Sequence, residues 1–132
     1  MAGAAIPDAD GKVGRIVDRH AGGDMNKLWR GASELERLGD EAIGEIQGLL
    51  GHENTGVILM GSKALLSLGE PDGVRDALLK LAQKNDLDNE RRKAALFMVG
   101  EFRDKKTTDT LRGLTEEFSG DAELRIELGR TL

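Results

Sequence analysis

His20 and His52 are the only histidines in the chain, and there is no cysteine. A transition-metal centre built on nitrogen and sulfur needs several such donors converging on one ion. GHEN (51–54) sets His52 beside Glu53 and offers one nitrogen and one carboxylate. That is too few, so both histidines read as surface or capping residues. DADG (8–11) opens like a calcium loop. It lacks the third ligand, the glycine offset and the closing glutamate, and reads as a polar leader. No GxSxG elbow, Walker-type loop or dinucleotide fingerprint is present. Glu34 and Glu36 in SELERLGDE (33–41) fall on a solvated face, where nothing raises a carboxyl toward acid–base work. No catalytic residue, metal or cofactor is assigned.

Composition narrows the rest. The 132 residues suit one modest domain, and the net charge is −5. An acidic chain is a poor phosphate binder, so no nucleic-acid partner is expected. No apolar run approaches the roughly 18 residues that cross a bilayer, and no membrane association is expected. The absence of cysteine fits a reducing cytoplasm. Aromatic residues make up only 3%, and the few β-branched residues do not alternate with polar ones. Helices punctuated by glycine follow.

Residues 1–24 read as a flexible leader with a short capping helix, KVGRIVDRH (12–20), whose Val13, Ile16 and Val17 share one face. AGGD (21–24) breaks it. Residues 25–132 repeat. Leu38, Leu68 and Phe102 each end an apolar helix and are followed by Gly39-Asp40, Gly69-Glu70 and Arg103-Asp104. Leu35, Leu65 and Val99 stand three residues before those markers, and Gly31, Gly61 and Ala95 seven before. Positions three and seven back lie on one helical stripe with the marker. A small residue there admits a close helix neighbour. The second helices carry the stripes Ile43, Ile46, Leu49, Leu50, then Val74, Ala77, Leu78, Leu81, then Thr108, Leu111, Leu114, Phe118. A fourth first helix begins after Asp121, with Leu124, Leu128 and Leu132. The unit is a helical pair of about 30 to 34 residues that must stack on its neighbours to bury its apolar face.

RRKAALFMVGEFRDKKTTDTLRGL (91–114) and ALLSLGEPDGVRDALLKL (64–81) resemble the short bacterial HEAT repeat, in its PBS-lyase-like form; residues 26–50 match more loosely, with Lys27 at an apolar position. The resemblance implies an all-α, right-handed solenoid of about 3.5 helical hairpins and a non-catalytic scaffold or adaptor. An accessory or regulatory subunit of an enzyme, such as a lyase-type complex, is the alternative. The HEAT-like deoxyhypusine hydroxylases hold iron with several His-Glu pairs, and here there is one. The HEAT-like DNA glycosylases use a basic, aromatic-lined groove, absent from this acidic chain. Nothing marks the tetrapyrrole pocket of a bilin lyase.

In this family the second helices line the concave binding face. Opposite the apolar stripes stand Glu41, Gly44, Glu45 and Gly48, then Arg75, Asp76, Leu79 and Gln83, then Asp109, Thr110, Gly113 and Glu116. Gly48, Leu79 and Gly113 share one register position. The expectation is a shallow trough with Leu79 as its apolar contact and acidic flanks that suit a basic peptide or helix. Trp29, off the main stripe, is expected to cap Ile16 and Val17. A monomer is favoured, with pairing through Leu124, Leu128 and Leu132 as the route to a dimer.

Overall fold

A computed structural model describes residues 11–84, 87–102 and 104–117, without the side chains of 115–117. Arg103, Phe118, Leu124, Leu128 and Leu132 therefore lie outside what is described, as does the side chain of Glu116. The described residues are helical, with no strand among them. The helices are α1 (Lys12–His20), α2 (Met25–Arg37), α3 (Ile43–Gly48), α4 (Thr55–Ser67), α5 (Val74–Ala82), α6 (Asn89–Val99) and α7 (Lys105–Glu117). None is long and apolar enough to cross a membrane. The chain divides into two compact units, Met1–Val74 and Arg75–Leu132.

The period is written into the caps as well as the apolar stripe. Asp24, Asn54 and Asp88 each open a first helix, and each side chain accepts backbone N–H bonds from the first turn. Asp24 and Asn54 are 30 residues apart and Asn54 and Asp88 are 34, the same intervals as the markers. Such caps satisfy N–H groups that have no partner within the helix. At the other end, α2 and α4 stop at Gly39 and Gly69, both at φ 76. Around Gly69 the amide of Glu70 donates to Leu65 O and that of Gly69 to Leu66 O, the paired bonds of a Schellman turn. Gly39 has ψ −163, a region that residues with a Cβ hardly enter. Gly39→Ala is expected to cost about 2 kcal/mol and Gly69→Ala about 1 kcal/mol. Urea denaturation of the two variants checks the order, because both glycines face open space and only backbone strain differs.

In the first unit α1 packs on α2, α2 on α4, and α3 on α4. Leu28, Leu35, Ile46, Leu49, Leu59, Met60 and Leu65 are fully buried there. The small residues work as spacing predicts. A Cβ on Gly61 would stand 3.0 Å from Leu49 Cβ and 3.4 Å from Ile46 O. A Cβ on Gly31 would meet Met60 Sδ and the His20 ring. α3 is a short α-helix between 3-10 turns at Asp40–Ala42 and Leu49–Gly51. Gly44 and Gly48 within it weaken its helical preference.

In the second unit Leu78, Leu79, Leu81, Ala95, Leu96, Val99, Leu111 and Leu114 are buried. Arg92, also buried, donates through Nε and Nη2 to Ala82 O at 3.1 and 2.8 Å, which closes the end of α5 against α6. α7 begins at Lys105, three residues before the first member of the expected stripe, Thr108, because Asp104 Oδ1 accepts from the Thr107 amide at 2.8 Å and caps it. Thr107 is consequently the buried threonine, and Thr108 only half-buried.

Candidate functional site

Most of the second-helix positions read as outward-facing are at the surface. Glu41, Gly44 and Gly48 are exposed and Glu45 is half-buried. Gly44 and Gly48 have no atom within 4 Å of where a Cβ would sit, so their backbone is open to approach. Asp76, Gln83, Asp109 and Gly113 are exposed, while Arg75 and Thr110 are half-buried. Leu79 is the exception. It is 5% exposed and belongs to the core, so it is no apolar contact for a partner. The buried arc of α5 includes Val74, Leu78, Leu79, Leu81 and Ala82 and leaves Ala77 half-buried. The arc is rotated toward Leu79 relative to the stripe drawn through Ala77.

The large exposed apolar side chain among the described residues is instead Phe97 on α6, at 71%. It stands five residues before the marker Phe102. The same position holds Ser33 and Lys63 in the other repeats, both exposed. Repeat register thus identifies it as a solvent position that carries an aromatic ring. Trp29 is half-buried.

The charged groups of the second unit form a ladder between α5 and the start of α7. Arg75 Nη1 lies 3.3 Å from Asp104 Oδ2, and Lys106 Nζ 3.4 Å from Asp76 Oδ1. The Thr107 amide and then Arg75 hold the Asp104 carboxyl below its ordinary value. Lys106 and then Arg75 do the same for Asp76. Burial pushes the Asp88 carboxyl up, but the amide and guanidinium of Arg91 outweigh it and the group ends low. A carboxyl lowered by folding contributes stability above its unfolded value and loses it as pH falls through the folded one. With ordinary values of 3.8 for these aspartates, their share is intact above about pH 5 and is lost progressively as pH falls below about 4, through the lowered folded values. Urea midpoints measured from pH 6 down to pH 2.5 are expected to fall in that window, less steeply in Asp104→Asn.

The two histidines separate. His52 is the turn residue that sequence implies: its Nδ1 accepts from the Asn54 amide at 3.0 Å. His20 is not a surface residue. It is 6% exposed at the end of α1, with Nε2 2.6 Å from Glu34 Oε2 and Nδ1 buried without a hydrogen-bond partner. Arg19 Nη1 holds the other oxygen of Glu34. Partial burial raises the Glu34 carboxyl, but His20 and Arg19 more than offset it, so it lies below its ordinary value. A low carboxyl is wrong for a proton donor at neutral pH. Among the described residues no three His, Cys, Asp or Glu side chains converge to hold a metal ion. A scan of protein-family models, a search of curated proteins and a search of solved structures return no match for this chain.

Proposed function

We propose that this protein is a HEAT-like helical-repeat adaptor, a right-handed solenoid without catalytic activity. Its second-helix face would bind a basic peptide or helix in the cytoplasm. The observation that carries this reading is the shared period. Caps, the core residues Leu35, Leu65 and Val99 and the buried small residues Gly31, Gly61 and Ala95 recur at the same intervals of 30 and 34 residues, and first helix packs on first helix where α2 meets α4. Repeat stacks of this kind present one residue position per unit along an extended surface. On α3 and the turn before it, that surface carries Glu41 and Glu45 beside the open backbone of Gly44 and Gly48. Carboxylates next to accessible backbone suit a cationic segment that approaches closely.

A fluorescein-labelled Lys-rich helical peptide, titrated at low and at physiological salt, tests the reading. Binding that weakens with salt and is lost in Glu41→Lys/Glu45→Lys supports it. Undiminished binding by that variant, with its fold intact by circular dichroism, sinks it.

A further inference from the structure

The proposed acidic face accounts for only one sign of the surface charge. Between Arg37 and Lys63 the chain has no Lys or Arg but has Asp40, Glu41, Glu45 and Glu53. Apart from Lys63 on α4, the lysines and arginines of the first unit lie on α1 and α2. Lys27, Arg30, Glu34 and Arg37 follow one another at spacings of three, four and three, so they form a single stripe along α2. All three cations are exposed, and none has a carboxylate within ion-pair reach among the described residues. The one acid on the stripe, Glu34, is already engaged at both oxygens by Arg19 and His20 of α1. Arg19 continues the basic side onto α1, where Arg15 and Lys12 lie four and seven residues back on its own stripe, both exposed. The buried sides of the two helices are formed by other residues: Val13, Ile16, Val17 and His20 on α1, and Leu28, Gly31, Ala32 and Leu35 on α2.

In the second unit Arg75, Arg91, Lys93, Lys105 and Lys106 each have a carboxylate nearby and Arg92 a backbone carbonyl, while Lys80, Lys84 and Arg112 are exposed. From Lys27 to Arg37 the stripe runs about 15 Å at the helical rise. We propose that the outer side of α1 and α2 is a second docking surface, which takes an acidic helical segment of a partner protein. Carboxylates three or four residues apart on such a segment match the row of Lys27, Arg30 and Arg37. A phosphate polymer fits less well. The fixed carboxylate of Glu34 stands in the middle of the row, and no fully exposed aromatic ring lies on either helix for a base to stack on. An anionic bilayer fits less well too, because neither helix exposes a row of large apolar side chains to enter it.

The test uses the full chain and a labelled Glu-rich helical peptide, read by fluorescence anisotropy at roughly 30 mM salt, where exposed charges are weakly screened. Binding is expected, and Arg30→Glu/Arg37→Glu should weaken it by about tenfold or more. Lys80→Glu, an exposed cation in the second unit, should leave it unchanged. Circular dichroism establishes that each variant is folded. No binding at this salt overturns the proposal, as does equal loss in Lys80→Glu. Tighter binding of a single-stranded oligonucleotide or of phosphatidylserine vesicles, lost in the same double variant, would assign the surface to that ligand and overturn it also. So would sedimentation showing self-association that the double variant abolishes, since the occupant would then be a second copy.

Discussion

Leu65→Ala is expected to lower the unfolding free energy by about 3 kcal/mol, and Leu35→Ala by a similar amount. Both side chains are 0% exposed and stand three residues before a turn marker on facing first helices. Truncation removes their transfer free energy and leaves a cavity that rigid neighbours fill only in part. The markers themselves behave differently. Leu38 and Leu68 are half-buried at the helix ends, so Leu38→Ala and Leu68→Ala should each cost about 1 kcal/mol. Urea unfolding of the four variants, at constant m-value, gives the comparison. Equal losses at all four positions would mean that the core runs through the helix ends, against the burial seen.

That contrast shows where sequence reasoning reached. Helical periodicity located the stripe, because burial on one side of a helix forces apolar types at three- and four-residue intervals. Glycine, aspartate and asparagine mark the ends, so α1 and the starts of α2, α4 and α6 are legible from residue type alone. Periodicity fixes the width of the buried arc poorly. α5 is buried far enough round to take in Leu79, and the run LLKLA leaves its rotation open. Charge and polarity mislead in the other direction at His20. It lies seven residues after Val13 and four after Ile16, on the buried stripe of α1, and that spacing was the available signal. Its depth depends on the absence of a side chain at Gly31, a long-range fact. Phe97 is the reverse case, an apolar type at a register position that Ser33 and Lys63 mark as solvent.

The second large effect concerns glycine, where one residue type should give opposite signs. Gly61→Val is expected to destabilise by about 3 kcal/mol, because its Cβ alone would already press on Leu49 and its branches have nowhere to go in a packed interface. Gly44→Ala and Gly48→Ala should instead stabilise by about 0.5 to 1 kcal/mol each. Both lie in α3 with open space around the added methyl, and alanine reduces the freedom of the unfolded chain. Thermal unfolding separates the two classes. The same pair then bears on the proposed function. If a partner's backbone approaches α3 at Gly44 and Gly48, the added methyls stand in its way. The double alanine variant would then melt higher yet bind the Lys-rich peptide more weakly. If it melts higher and binds as before, the glycines serve no close approach, and charge from Glu41 and Glu45 alone draws the peptide to that face.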